Sequence, residues 1–253
     1  MSFLPSSLDK ECDRAARILK SFTGVSGTPT SAGKGKAKIP TTVIANAKGL
    51  AIFTGFRAGM WLSGAGGSGI VVARLPDGTW SPPSGFTVRS GGMGIVFGVD
   101  VYDCVCVLNT PAAVEAYTRP RLAIGSEVTA AAGPLNAKMD AVSDVKPVWT
   151  YTKSRGIWGG VTLDGTAISV RPDANAEFYG EPKISIERIL RGDVPAAAPA
   201  AAAGKTKVVM WPAGAKKLTE VLKASEGKVA DVSVMGALGD EPTAGDLGVV
   251  PDS

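Results

Sequence analysis

Leu8, Cys12, Ala15, Leu19 and Phe22 recur at alternating steps of four and three residues, which lays one apolar stripe along a helix. Ser6 or Ser7 is placed to cap that helix, and Asp9 and Glu11 suit its first turn. Lys10, Arg14, Arg17 and Lys20 fall away from the stripe, so residues 8–22 read as a short basic amphipathic helix. A loop rich in small residues follows over 24–38 and carries Lys34, Lys36 and Lys38. Pro40 then opens a second helix reaching Ala47, because proline tolerates the first helical turn.

Past Gly49 the period changes. Runs of β-branched residues separated by glycines predict strands over 50–54, 70–74, 99–108, 159–163 and 166–170. Pro76-Asp77-Gly78 and Asp164-Gly165 are turn signals and predict hairpins. Thr110-Pro111 predicts a helix start, with further short helices over 175–179, 184–190 and 212–225. Strand runs with interspersed helices and no regular βαβ alternation give an α+β class: a largely antiparallel β-rich core, short flanking helices and an N-terminal amphipathic helix. An Ala/Pro-rich linker over 195–204 separates the region 1–194 from a segment 205–253, read as a basic short helix followed by an acidic disordered tail.

Composition narrows the chemistry. The 253 residues include 32 glycines, three cysteines and no histidine, with a net charge of +4. Without histidine there is no Ser-His-Asp or Cys-His pair, no imidazole base and no histidine-held metal. Asp100 and Asp103 are three apart and fall on opposite faces of a regular strand, poor geometry for a catalytic pair. Binding of a hard cation by these two with Asp164 or Asp173 lacks any D-x-D-x-D-G loop, so no metal and no cofactor are expected. Cys104 and Cys106 share a strand face and read as small buried hydrophobes in a reducing, cytoplasmic setting. Trp61, Trp80, Trp149 and Trp158 read as core or sheet-face residues. The modest charge and the lack of clustered arginine or an aromatic platform argue against nucleic acid.

Gly64, Gly66 and Gly69 satisfy G-x-G-x-x-G, but Ile70 to Ala73 continue as a β-branched run instead of opening a helix. Tight β packing is therefore the favoured reading of this cluster, and a small-ligand or nucleotide site at Gly64–Gly69 the alternative. The wider block, KGLAI at 48–52 through DGTWS at 77–81, resembles the signature of the SYLF domain, also called the Ysc84 actin-binding domain. Matches continue in order: DCVCVLNT at 103–110, AGPL at 132–135, YTKSRG at 151–156, GGVTLDGTAISVR at 159–171 and NAEFYG at 175–180. The resemblance spans about residues 7–192.

That resemblance implies a mixed fold with a β-rich core and a non-enzymatic module that binds phosphoinositide membranes and filamentous actin. It implies a peripheral place at membranes and cortical actin, linking the two in endocytosis. It carries lipid contact to the N-terminal helix, through Lys10, Arg14, Arg17 and Lys20, with Lys34, Lys36 and Lys38 adding charge. About 1 kcal/mol per basic residue near an anionic surface suffices for weak, salt-sensitive attachment. The same helix reads equally as a core element with solvated charges. Family members often carry an SH3 domain. Residues 205–253 show no SH3-like pattern, so partners recruited by such a domain are not expected here.

Overall fold

A computed structural model of the chain describes residues 4–25, 39–118, 121–131, 136–138, 147–195, 210–239 and 241–246. Helix α1 (Leu8–Thr23) and the short α2 (Thr41–Asn46) precede two 25-residue strands, β1 (Gly49–Ala73) and β2 (Ser84–Leu108). Helix α3 (Pro111–Glu115), strands β3 (Arg121–Ala131), β4 (Asn136–Lys138) and β5 (Val148–Val170), and helices α4 (Pro172–Tyr179) and α5 (Ile186–Leu190) follow. Helices α6 (Lys216–Ser225) and α7 (Val232–Gly236) complete the order. Every strand pairing is antiparallel, in the order β1-β2-β5-β3, with β4 also on β5. The α+β class expected from the pattern is the class observed.

Strand continuity departs from expectation. The segments 50–54 and 70–74 belong to one strand, β1, paired with β2 almost throughout. Asp164-Gly165 makes no turn. It lies inside β5, opposite Gly92 and Gly91 of β2 on one side and Gly125 and Ile124 of β3 on the other. Pairing on both edges overrides the local turn preference. The hairpin at Pro76–Gly78 does form, closed by Gly78 N–H to Leu75 O and Leu75 N–H to Thr79 O.

Glycines let β1 double back on itself. A Cβ on Gly69 would lie 2.0 Å from Ile52 O, and one on Gly67 2.6 Å from Thr54 O. One on Gly49 would meet Val72 O at 2.9 Å. The two ends of the strand are thus in backbone contact, with the bend at Met60–Leu62. There the register with β2 shifts and Trp61 takes a left-handed φ of 72°, a conformation uncommon outside glycine.

The core lies on both faces of the sheet ends. Leu50, Ile52, Ile70, Val72, Val105 and Val107 pack under α1 and α6. The alternate residues Ala51, Phe53, Val71, Phe86, Cys104, Cys106 and Leu108 pack against Tyr117, Ile186 and Leu190. Cys104 and Cys106 are buried on one face, their sulfurs 3.7 Å apart. Helix α1 buries its whole apolar stripe, from Leu8 to Phe22. Gly24 ends it in the left-handed conformation, returning its N–H to Lys20 O at 2.8 Å. Ser7 at its N-cap makes no side-chain cap. Glu11 instead reaches back to the Ser6 N–H at 2.9 Å. Thr110 caps α3 through the Ala113 N–H, as its sequence predicts. None of the described helices is long and apolar enough to cross a membrane.

Candidate functional site

Helix α1 is pinned to the sheet by a buried carboxylate. Glu11 is 1% exposed and accepts from Ser68 Oγ (2.9 Å), the Ser6 N–H and Arg171 Nη1 (3.3 Å), and pairs with Arg14. Arg171 Nη2 donates to Ser6 O at 2.7 Å, and Arg14 Nη2 to Ser68 Oγ at 3.3 Å. A charge buried this deeply persists only with such partners. The network fixes how far round its axis α1 is turned, and therefore which cations face outward.

Those cations meet a segment from the far end of the sequence. Ser6, Lys10, Asp13, Arg14 and Arg17 form one wall of an open cavity of about 300 Å³, and Glu241, Pro242, Thr243 and Ala244 form the other. Asp13 is tied to Lys217 of α6 at 2.8 Å, while Lys10 and Arg17 have no ion-pair partner among the described residues. The cavity thus carries both signs of charge, with Glu241 and Asp13 beside the three cations. Lys20, the fourth predicted cation, lies farther along and donates to Gly239 O at 3.3 Å. Lys34, Lys36 and Lys38 lie outside the described residues.

The second wall is held by a clasp on the sheet. Gly245 N–H donates to Asp103 Oδ2 at 2.7 Å, and Thr54 Oγ1 to Asp103 Oδ1 at 2.6 Å. Asp246 accepts from the Thr243 N–H and hydroxyl and pairs with Lys153 at 3.3 Å. Lys153 Nζ also donates to Ser21 O and Oγ and sits 4.7 Å over the Phe22 ring. Burial raises the Asp103 pKa above its ordinary value despite the Thr54 and Gly245 donors. Burial acts upward on Asp246 too, but the Lys153 ammonium and Thr243 donors outweigh it and leave the carboxyl below its ordinary range. Part of the acidic terminal segment is thus ordered against the sheet.

Asp100 and Asp103 do not converge. Asp100 is buried and bound by Arg57 (2.8 Å), whereas Asp103 serves the clasp. Among the described residues no cluster of three or more carboxylates or thiols is arranged to hold a metal ion. Gly64–Gly69 lies in mid-strand with no helix N-terminus behind it, so the geometry that a phosphate loop requires is missing.

Sequence reasoning missed one surface. Met60, Trp61 and Leu62 of β1 and Met93, Ile95, Phe97 and Val99 of β2 are 58–75% exposed at the bend. Trp61, read as a core or sheet-face residue, is instead among the most exposed apolar groups. Trp80 is partly buried against the core under the Arg74 guanidinium, and Trp149 is exposed at 39%. The Trp158 side chain lies outside the described residues. The period-two run Met93, Ile95, Phe97, Val99 was visible in the sequence, but alternation alone does not say which face is outside.

No solved structure matches the chain. Among curated proteins it is 42% identical over 196 residues to the SH3 domain-containing YSC84-like protein 1 of Homo sapiens, covering 76% of this chain and 56% of that protein. It is 40% identical over 205 residues to protein YSC84 of Saccharomyces cerevisiae (78% of this chain, 43% of that one). To an SH3 domain-containing protein of Schizosaccharomyces pombe it is 42% identical over 207 residues (79% and 46%). The chain thus spans about half the length of these relatives. The family model described as "Ysc84: Las17-binding protein actin regulator" matches residues 89–225, more than half the chain, from the middle strands through α6. With that match laid over the folded sheet and its covering helices, the chain belongs to the Ysc84 family.

Proposed function

We propose that this chain is a non-catalytic module that binds an anionic, phosphoinositide-containing membrane and filamentous actin, coupling the two in the cytoplasm at sites of endocytosis. The observation that carries the membrane part is the shared cavity: Lys10, Arg14 and Arg17 face one open space of about 300 Å³ beside α1. Lys10 and Arg17, without ion-pair partners among the described residues, are the groups offered to a lipid phosphate. The actin part is supported by the family description, which names an actin regulator.

Because α1 buries its apolar stripe, contact through the basic face is electrostatic as long as the helix stays docked. Attraction of this kind contributes about 1 kcal/mol per cation and weakens with salt. The test is co-sedimentation of the full chain and its Lys10→Glu/Arg17→Glu variant with phosphatidylinositol bisphosphate vesicles and, separately, with filamentous actin. Loss of about 2 kcal/mol in vesicle affinity, roughly thirtyfold, is expected from the two residues, with actin binding kept. Unchanged vesicle binding by the folded variant would refute the cavity as the lipid site. Absence of actin from the wild-type pellet would remove the actin part.

A further inference from the structure

Residues 241–246, Glu-Pro-Thr-Ala-Gly-Asp, run beside the basic face of α1 as a strap with a hinge before it and a catch at its end. Upstream, Leu238 is buried in the core. Gly239 follows it, exposed and left-handed at φ 68°, with nothing within 4 Å of where a Cβ would stand. Glycine moves freely through that region, and residues at element ends are where hinges absorb such changes. The catch is Gly245. Its N–H reaches Asp103 Oδ2 at 2.7 Å, and a Cβ there would lie 2.4 Å from Lys153 O and 2.7 Å from Asp103 N. Asp246 completes the catch on Lys153.

The hold is polar, and the floor beneath it stands without the strap. No side chain of 241–246 belongs to either hydrophobic core, and the Thr243 hydroxyl is spent on Asp246 of the strap itself. Segments with so few apolar contacts open locally at far lower free energy than core elements. Opening would be forbidden if it stranded a buried charge. Two charges lie under the strap, and both keep partners when it leaves. Lys153 retains Ser21 O and Oγ and the Phe22 ring, and Asp103 retains Thr54 Oγ1. Helix α1, by contrast, is fixed by its buried stripe, so the strap is the wall of the cavity that can move.

Glu241 is exposed, has no ion-pair partner among the described residues and shares the cavity with Lys10, Arg14 and Arg17. It supplies an internal anion where a lipid phosphate would stand. The wall at 241–244 also keeps a flat surface away from Arg14 and Arg17, which are only partly exposed. Resting on the membrane contact proposed above, we infer that residues 241–246 are an autoinhibitory strap. Clasped, they screen the basic face of α1; released about Gly239, they uncover it to an anionic bilayer.

The test compares the full chain with its Gly245→Ala and Asp246→Ala variants on phosphatidylcholine vesicles, with and without phosphatidylinositol bisphosphate. The first variant sets a Cβ against backbone atoms of the sheet. The second removes the partner of Lys153 and Thr243 and adds no atom. Hydrogen exchange over 241–246 reports release, and the thermal melt should stay close to wild type because both cores are untouched. Released chains should bind the phosphoinositide vesicles at least about fivefold more tightly, the worth of one charge at an anionic surface. The gain should vanish on phosphatidylcholine alone and when Lys10→Glu/Arg17→Glu is added. Equal binding by the released variants would overturn the strap and leave the lipid site standing. Weaker binding would overturn it by making 241–246 part of that site. A gain that survives Lys10→Glu/Arg17→Glu would overturn the basic face as the thing screened, and a strap still protected in both variants would overturn the hinge and catch. No vesicle binding by any form, wild type included, would instead remove the membrane reading on which the strap rests.

Discussion

Gly69→Ala is the sharpest test of the doubled-back strand. The new Cβ would stand 2.0 Å from Ile52 O, 2.5 Å from Phe53 Cβ and 2.6 Å from Phe53 Cα. Ordinary carbon-to-oxygen approach is about 3.3 Å, so the two passes of β1 must separate by more than about 1 Å. Two of the three obstacles are backbone atoms of a paired strand, which no rotamer change relieves. Overpacking of a rigid site costs about 1–3 kcal/mol, and with the backbone immovable we expect the upper figure. For a domain of this size each kcal/mol lowers Tm by about 2–4 °C, giving a fall of roughly 6–12 °C. Gly66→Ala is the matched control: its Cβ meets nothing within 4 Å, so its effect should stay within about 0.5 kcal/mol. Thermal and urea unfolding by circular dichroism measure both. A Gly69→Ala melt equal to wild type, or Gly66→Ala as the more damaging change, would refute the packing account.

Four further outcomes follow from the core, the α1 network and the clasp. Phe22→Ala should cost about 3–5 kcal/mol in urea unfolding, because Phe22 is fully buried between the sheet and the Lys153 ammonium. A chain starting at Lys38 should lose cooperative unfolding altogether, since eight side chains of α1 are buried; charge reversal is therefore the way to examine the helix's surface role. Glu11→Ala should cost about 3–5 kcal/mol by stranding Arg14 and Arg171, and a native melt would show that their network holds nothing. The clasp has an acid limit. Asp246 sits below its unfolded value of 3.8, so its stabilisation is present above that pH and lost as pH falls through the folded value. Asp103 is shifted upward, so its own term favours the folded state as pH falls towards 3.8. The protection factor of the Gly245 amide should fall below about pH 3.8, and Asp246→Asn should remove that acid step.

The sequence made α1 legible because a stripe at helical period survives any later packing. It also made the strand cores legible, since β-branched runs such as Ile70–Val72 have few other fates. Strand length was not legible. Glycines 64, 66, 67 and 69 look like punctuation, and only the close approach of Gly67 and Gly69 to Ile52–Gly55 shows that the strand runs on and doubles back. The Asp164-Gly165 signal failed because two neighbouring strands outweigh one dipeptide. Lys10, Arg14 and Arg17 were identifiable as cations, but the opposing wall at 241–244 is more than 220 residues away. No local pattern links the two. The exposed surface at the bend was hidden for a different reason: period two separates faces without naming the wet one.

The packing of α1 against α6 has a consequence for biosynthesis. The N-terminal stripe is made first, yet Leu218, Val221 and Leu222, which share its core, lie about two hundred residues later. At ribosomal speeds of 5–20 residues per second, that is roughly 10–40 s during which Leu8, Leu19 and Phe22 await their covering helix. The nascent chain must therefore present a greasy helix to the cell for that interval, and to whatever chaperone or lipid surface reaches it first.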